Sequence, residues 1–213
     1  MKIIGCIQGT PEWHAARAGR VTASRIADMM ARTKSGYGAG RANYLAELVA
    51  ERLTGTVAEG FTNAAMRHGT ETEPEARAAY QFFRDAEVQE VGFVVHPTIE
   101  MSGCSPDGII DGLGLVEIKC PNSATHIDTL LGAGIPDKYL KQMQWQMACT
   151  GATFCDFVSY DPRLPTRMQL FVERIERNDA MIAEIEREAL VFLQEVDAKV
   201  LALTAKYGDR AAA

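Results

Sequence analysis

The chain has 213 residues, a hydrophobic content of 47%, a charged content of 23% and a formal net charge of −6. These values are typical of one soluble domain, and no apolar run reaches the roughly eighteen residues that span a bilayer. The N-terminus also lacks the basic and then apolar pattern of a secretion signal. We therefore expect a single cytoplasmic domain over residues 1–213, with no membrane partner and a flexible tail at about residues 201–213.

The first half of the chain is predicted to be mainly helical. Residues 12–31 are expected to form two short helical turns joined at Gly19, followed by a flexible glycine-rich loop at residues 35–40. Apolar residues at helical spacing predict a helix over residues 42–53 that ends at Gly55. A helical pattern also covers residues 63–83, in which Pro74 should kink the helix or begin a second one.

The pattern then changes to strict alternation, which predicts strands. The predicted strands cover residues 88–96, 101–104, 109–111, 115–119, 153–160 and 168–175, with a turn at 112–114. Helices are predicted over residues 125–131 and 137–150, and a last long helix begins near Asn178, a good N-cap residue. This order predicts an α/β or α+β fold, in which helices flank a mixed central β-sheet.

The charged and metal-ligating residue types are unevenly distributed. Residues 1–41 carry seven basic and two acidic residues, whereas residues 176–200 carry three basic and seven acidic ones. The first segment could therefore face phosphate, although an ordinary solvated surface explains the same distribution. The five cysteines and four histidines show no spacing typical of a disulfide framework, a zinc site or an iron–sulfur cluster. We expect the cysteines to be buried core residues and assign the histidines no chemistry.

Two carboxylates and one amine stand out in the predicted strands. Asp107 lies in the sequence Ser-Pro-Asp-Gly, and Glu117 and Lys119 follow on one strand, two residues apart. Glu117 and Lys119 should therefore point to one face of the sheet, and Ile118 to the other. Two carboxylates can hold a hard cation, and a lysine adds positive charge where a phosphodiester is cut. A Glu–Lys pair capping the edge of a sheet would explain the same spacing.

Six motifs in order add a resemblance to a known family. They are Trp13-His14-x-x-Arg17-x-Gly19-x-x-Thr22-Ala23-Ser24, Gly69-x-x-x-Glu73, Ser105–Gly108, Glu117–Pro121, Gln142-x-Gln144 and Tyr160–Arg163. Together they resemble the phage λ-type exonuclease, or YqaJ-like viral recombinase, family of the PD-(D/E)xK nuclease superfamily. The resemblance covers about residues 8–190 and implies a restriction-endonuclease-like core with a mixed central sheet.

The resemblance implies a divalent-metal site. Asp107 and Glu117 would bind the cation, with the main-chain carbonyl of Ile118 as a further ligand and Glu73 contributing directly or through water. The expected cofactor is Mg²⁺, for which Mn²⁺ can substitute, with one or two ions in each active site.

Two further side chains acquire roles in catalysis from the same resemblance. Lys119 would orient or polarise the attacking water and stabilise the phosphate, and Gln142 would hold water or a phosphate oxygen. The neighbouring Gln144 and Gln146 are interpreted as surface or helix-packing residues.

The resemblance also implies contacts with DNA. Arg17 and Ser24 resemble the family's pocket for a 5′-terminal phosphate, and a guanidinium suits that role because it grips phosphate through two hydrogen bonds. Lys34 would insert its basic side chain into the DNA ahead of the active site. Met66 lies where the family uses an apolar wedge to part the terminal base pair, and ordinary helix packing explains it equally well. Trp13 is expected to pack beneath this segment.

The implied function is a Mg²⁺-dependent 5′→3′ exonuclease that degrades one strand of linear double-stranded DNA to mononucleotides. It would leave a 3′ single-stranded overhang for phage-type recombination in the bacterial host's cytoplasm. The resemblance further implies a ring-shaped homotrimer and a phage single-strand annealing protein as partner. Two alternatives are a structure- or sequence-selective endonuclease with the same core, and a DNA-end-binding module without catalysis.

Overall fold

The computed structural model describes residues 1–57, 64–110 and 114–208, without the side chains of residues 65 and 66. Most of the turn predicted at residues 112–114, and the side chain of Met66, therefore lie outside the described part of the chain. Within the described ranges, no helix is both long enough and apolar enough to cross a bilayer.

The first half of the chain contains short strands and four α-helices in the described ranges. They are β1 (Lys2–Ile4), α1 (Pro11–Arg17), β2 (Val21–Thr22), a 3-10 turn (Ala23–Arg25), α2 (Ile26–Met29), β3 (Arg32–Thr33), β4 (Gly36–Tyr37), α3 (Ala39–Thr54) and α4 (Ala64–Arg84). The glycine-rich segment predicted as a loop thus contributes strand β4 to a small hairpin with β3.

The second half supplies the main sheet and the remaining helices. Its elements are β5 (Val88–Gln89), β6 (Phe93–Val95), β7 (Ser102–Cys104), β8 (Gly108–Ile110), β9 (Gly114–Lys119), α5 (Ser123–Leu130), α6 (Asp137–Thr150), β10 (Phe154–Tyr160), a 3-10 turn (Thr166–Met168), β11 (Leu170–Glu176) and α7 (Asp179–Tyr207).

A five-stranded mixed sheet forms the centre of the fold, in the order β11-β10-β9-β8-β5. Strands β9 and β10 are parallel, and their other neighbours are antiparallel. Helix α4 packs on one face through Ala76 and Tyr80, which join a core cluster with Ile118. Met143 of α6 packs with Leu115 in a separate cluster on the other face. The predicted mixed sheet flanked by helices is confirmed.

A second sheet, in the order β1-β6-β7-β2, was not predicted from the sequence. The single strand predicted over residues 88–96 is wrong, because the chain leaves the main sheet after β5 and joins the second sheet at β6. Gly92 lies at this crossing, where a Cβ atom would be only 2.5 Å from the carbonyl oxygen of Ile4. The alternation of apolar residues continues across the crossing, so it does not reveal the change of sheet.

The helix ends follow the predicted signals more closely. Helix α3 ends at Gly55, which has a φ of 71°, and Asn178 caps α7 by accepting a hydrogen bond from the Met181 amide at 3.0 Å. Pro74 lies inside one continuous helix and begins no second one. Helix α7 continues through Tyr207, into the segment for which flexibility is expected, and residues 209–213 lie outside the described residues.

The cysteine prediction is confirmed at three positions and wrong at two. Cys104, Cys149 and Cys155 are buried, whereas Cys6 and Cys120 are only half-buried. Burial and the charges of Glu73 and Asp107 raise the pKa of Cys120 to about 12, so its thiol stays protonated near neutral pH.

A buried carboxylate ties the main sheet to α4. Asp156 of β10 is fully buried and accepts hydrogen bonds from Arg174 of β11 at 2.8 Å and from the Tyr80 hydroxyl at 2.8 Å. Burial raises the pKa of Asp156, but these hydrogen bonds and nearby arginine charges outweigh it, so the net shift is downward. The carboxylate is therefore held in its charged form by its partners.

We expect Asp156→Ala to lower the free energy of unfolding by about 3 kcal/mol, because it leaves a buried hydroxyl and a guanidinium without their acceptor. Urea unfolding measures this effect. The pKa of Asp156 is lower in the folded protein than in the unfolded chain, so its charge stabilises the fold when the pH lies above the unfolded pKa. As the pH falls below about 4, the difference in unfolding free energy between wild type and Asp156→Ala should therefore shrink. The control is Asp137→Ala, which removes an exposed i,i+4 pair and should cost less than about 0.5 kcal/mol. Equal costs for the two variants would contradict the prediction.

Candidate active site

The loop between β7 and β8 carries Asp107 and is fixed on several sides. Gln8 donates a hydrogen bond to the carbonyl of Pro106 at 2.9 Å, and the indole N–H of Trp13 donates to the Ser105 hydroxyl at 2.8 Å. Gly108 follows, where a Cβ atom would lie 2.1 Å from a methyl carbon of Val88. The Ser-Pro-Asp-Gly sequence therefore fits a loop that is anchored by side chains and closely packed at its glycine.

Glu117 lies on strand β9 on the face that it shares with Lys119, as the strand period predicted, and this face meets helix α6. Its side chain is buried, and both carboxylate oxygens accept hydrogen bonds from that helix. Gln142 donates to Oε1 at 2.6 Å, and Gln146 donates to Oε2 at 2.6 Å. Lys119 forms an ion pair with the same Oε1. The carboxylate is thus held by three donors.

Asp107 lies just before the start of β8 and approaches β9. Its Oδ2 accepts a hydrogen bond from the main-chain amide of Ile118 at 2.6 Å. Because the N–H and C=O of one strand residue leave on the same side, the Ile118 carbonyl also faces Asp107. Burial raises the pKa of Asp107 well above its usual range, and the neighbouring Glu117 carboxylate adds to the shift. A positive charge at this point would therefore be stabilising.

Lys119 remains a cation in this environment. Burial lowers its pKa, but the carboxylates of Glu117 and Asp107 outweigh that effect and the net shift is upward. The Nζ atom also lies 5.3 Å from the centre of the Tyr139 ring of α6. The amine is therefore suited to stabilising negative charge and unsuited to accepting a proton.

Glu73 lies on α4, where its carboxylate is paired with an arginine of the same helix. Its Oε1 accepts a hydrogen bond from Arg77 at 2.6 Å. Burial raises the pKa of Glu73, while the charges of Arg77 and Lys119 lower it and that of Glu117 raises it. Glu73 is thus within electrostatic reach of the site, and its contact with a cation stays a prediction.

A cleft of about 170 Å³ brings the two predicted halves of the site together. Its lining combines the predicted catalytic group with the side chains predicted to bind phosphate. The lining residues are Trp13, Arg17, Ala23, Ser24, Ser105, Asp107, Glu117, Lys119 and Gln142.

Arg17 is positioned in this cleft by stacking. Its guanidinium carbon lies 4.1 Å from the centre of the Trp13 ring. Arg17 has no ion pair among the described residues, whereas nearby Arg25 is paired with Asp28 and Glu47. Burial lowers the pKa of Arg17, so an incoming anion would stabilise its charged form. Arg17 and the exposed Ser24 also line a second pocket of about 110 Å³, which includes Glu47 and Glu51 but neither Asp107 nor Glu117.

Two further residues, Lys34 and Met66, were predicted to contact DNA. Lys34 is exposed at the turn of the β3–β4 hairpin. Met66 belongs to the first turns of α4, and its side chain lies outside the described part of the structure. Neither residue is tested by the geometry of the site.

Sequence reasoning missed three side chains that shape the site. Gln146 was interpreted as a surface or packing residue, yet it is fully buried against Glu117. Trp13 packs as expected but also joins Arg17 to the Ser105 loop, and Tyr139 flanks Lys119. The helical repeat that places residues 142 and 146 on one face was the available signal for Gln146. Gln144, on another face, bonds the Glu176 carbonyl and the Asn178 amide, which agrees with a packing role.

A preformed cluster of three or more acidic, histidine or cysteine ligands is absent from the described ranges. The donor set nevertheless suits a hard cation, because Asp107 and Glu117 supply carboxylate oxygens and Ile118 a carbonyl oxygen. Two close carboxylates opposed by one lysine also favour an added positive charge.

The family model for the YqaJ-like viral recombinase domain matches residues 12–153, which include the residues that line the cleft. The chain belongs to this family. A search of curated proteins found no match. This YqaJ-like chain is 55% identical to an alkaline exonuclease, LHK-Exo from Laribacter hongkongensis, over 92% of this chain and 97% of that one, with a TM-score of 0.86. The crystal structure of LHK-Exo in complex with dAMP matches over the same shares, with a TM-score of 0.87.

A more distant likeness extends the fold assignment of this YqaJ-like chain. A phage-related exonuclease from Haemophilus somnus 129PT is 15% identical over 86% of this chain and 96% of that chain, with a TM-score of 0.67. The α/β architecture described above is therefore shared with exonuclease structures at both high and low sequence identity.

Proposed function

We propose that this chain is a divalent-metal-dependent 5′→3′ exonuclease that acts on linear double-stranded DNA. It would release mononucleotides and leave a 3′ single-stranded overhang for phage-type recombination by single-strand annealing. Membership of the YqaJ-like family and the 55% identity to an alkaline exonuclease support a nuclease role.

One observation carries the choice of a 5′ end. Arg17 and Ser24 line the same cleft as Asp107 and Glu117. A terminal phosphate bound by the guanidinium and hydroxyl would lie beside the group that cuts. An enzyme that cuts within a strand has no need for such a pocket next to its carboxylates. The shared cleft therefore favours an exonuclease over an endonuclease.

The cation would be Mg²⁺, with Mn²⁺ able to substitute, held by Asp107, Glu117 and the Ile118 carbonyl, with Glu73 at the side. When bound, one or two such ions supply Lewis-acid activation of the phosphate and of the attacking water.

The protein's own groups complete the proposed chemistry. The Lys119 ammonium keeps its proton and donates hydrogen bonds to the phosphate oxygens, which gain negative charge as the bond is cut. Gln142 reaches the same region from α6 and orients water or a phosphate oxygen through its amide. Trp13 holds the Arg17 guanidinium over its ring, which would restrict the orientation of the bound end.

Metal removal should abolish cleavage. We expect no nucleotide release in EDTA, full recovery with Mg²⁺, and DNA binding with little hydrolysis in Ca²⁺, because the longer and more variable bonds of Ca²⁺ position the reacting groups poorly. A gel-shift assay and a nucleotide-release assay on the same samples measure the two properties. Full cleavage in EDTA or in Ca²⁺ would contradict the proposed role of the cation.

A time course on linear duplex DNA labelled at one 5′ end tests the function as a whole. With a 5′-phosphate we expect the label to appear first as a mononucleotide, and the 3′ strand to survive. Closed circular DNA of the same sequence is the control and should remain intact. Cleavage of the circle would favour an endonuclease, and end binding without nucleotide release would favour a non-catalytic module.

The family resemblance extends the proposal to assembly and location. We propose a ring-shaped homotrimer that encloses DNA, a phage single-strand annealing protein as its partner, and the bacterial cytoplasm as its location. Lys34 is proposed to contact the DNA ahead of the cleft, and Met66 is proposed as an apolar wedge that parts the terminal base pair.

A further inference from the structure

The buried Gln146 makes a contact with Glu117 that the proposed reaction does not yet use. Its side chain is fully buried on α6, and its Nε2 lies 2.6 Å from Oε2 of the equally buried Glu117. A carboxylate offers only acceptors, so the amide must present its nitrogen and not its oxygen. The orientation of the Gln146 amide is therefore fixed by chemistry.

The two oxygens of Glu117 have different kinds of partners. Gln142 and Lys119, which bind Oε1, are both half-buried and line the cleft. Gln146, which binds Oε2, does not line the cleft, and its burial leaves its side chain no room to turn. The buried neighbours Met143 and Met147 lie on the same helix, within the core cluster that includes Leu115 of β9. One oxygen thus has partners that can turn toward a substrate, and the other has a partner fixed in the core.

We infer that Gln146 is a positioning residue: it holds Glu117 by Oε2, so that Oε1 is the oxygen offered to the divalent cation. With a cation bound, Lys119 and Gln142 would be free to serve the phosphate and the water, while Gln146 would keep the carboxylate in place. The inference rests on the proposed metal-dependent function. It adds a residue outside the cleft that determines how tightly the cation is bound.

If Gln146 only stabilised the fold, another buried amide with hydrogen bonds should behave in the same way when it is replaced. Gln144 provides that comparison. It is an almost fully buried amide on the same helix, two residues away. Its Nε2 donates to the Glu176 carbonyl at 2.9 Å and its Oε1 accepts from the Asn178 amide at 2.7 Å. Gln144 is therefore matched to Gln146 in type and burial but does not touch Glu117.

The test is the affinity for Mn²⁺ in the absence of DNA, measured by calorimetry or by electron paramagnetic resonance. Gln146→Met keeps the length and volume of the side chain and removes the donor. We expect it to weaken Mn²⁺ binding by about 10- to 100-fold, as for other groups that hold a metal ligand in place. In cleavage assays the half-saturating Mg²⁺ concentration should rise by the same factor, while kcat at saturating Mg²⁺ changes much less. Gln144→Met should lower thermal stability and leave Mn²⁺ affinity unchanged.

Gln146→Asn provides a second variant if the methionine variant fails to fold. The asparagine side chain is too short for its amide to reach Oε2, so this variant should weaken Mn²⁺ binding by a similar factor. Wild-type affinity in a folded Gln146 variant would overturn the inference, as would equal weakening in Gln144→Met. A wild-type protein that binds no Mn²⁺ and cuts DNA without metal would instead overturn the proposed function.

Discussion

Glu117→Ala is expected to reduce nucleotide release by on the order of 10³-fold while DNA binding is largely retained. The reason is that the substitution removes a proposed cation ligand and also leaves Lys119, Gln142 and Gln146 without their common acceptor. Asp107→Ala and Lys119→Ala should cause losses of similar size. Release of labelled mononucleotides at saturating Mg²⁺, with a gel shift on the same DNA, measures both properties.

A glutamate of the same sheet serves as the control. Glu173 of β11 is exposed. It lies opposite Phe157 of the central strand β10, and Phe157 in turn lies opposite Glu117 of β9. Glu173→Ala removes an identical charge from the same sheet without touching the cleft, and it should keep near-normal activity. Near-normal turnover in the Asp107, Glu117 or Lys119 variants would overturn the proposed active site.

Arg17→Ala is expected to lower the preference for 5′-phosphate over 5′-hydroxyl ends by about 10- to 100-fold, the effect of losing charged hydrogen bonds to a phosphate. Arg17→Lys should recover only part of the preference, because an ammonium keeps the charge but neither binds through two nitrogens nor stacks on Trp13 in the same way. Cleavage rates on two duplexes that differ only in the terminal phosphate provide the ratio.

The control for Arg17 is an arginine of the same basic segment outside the cleft. Arg32 is exposed on β3 and paired with Glu188 at 2.6 Å. Arg32→Ala removes the same charge, so it should leave the phosphate-to-hydroxyl ratio unchanged even if overall DNA affinity falls. An unchanged ratio in Arg17→Ala would count against a phosphate pocket.

Features that depend on local repetition could be predicted from the sequence. The period of two placed Glu117 and Lys119 on one face of β9 and Ile118 on the other, as the structure has them. The caps at Gly55 and Asn178 were likewise visible, because each depends on one residue type at one position. The mixed sheet followed from the order of helical and strand patterns.

Features that depend on contacts between distant segments could not be predicted in this way. The change of sheet at Gly92 is determined by the approach of β1, about 90 residues earlier in the chain. The hydrogen bond from Trp13 to Ser105 joins residues 92 positions apart. Gln146 resembles any other amide of an amphipathic helix until its helix is packed against β9. Residue type indicates what such side chains can do, but only the packing determines which partner they meet.

The three-residue connection Ser105–Asp107 links the second sheet to the main sheet. Through Trp13 it also joins the guanidinium that would grip a terminal phosphate to the loop that carries Asp107. Under the proposed function this connection acts as a molecular ruler. The size of the released product, one nucleotide, would then be determined by the separation of the phosphate pocket from the carboxylates, and not by the base sequence of the DNA.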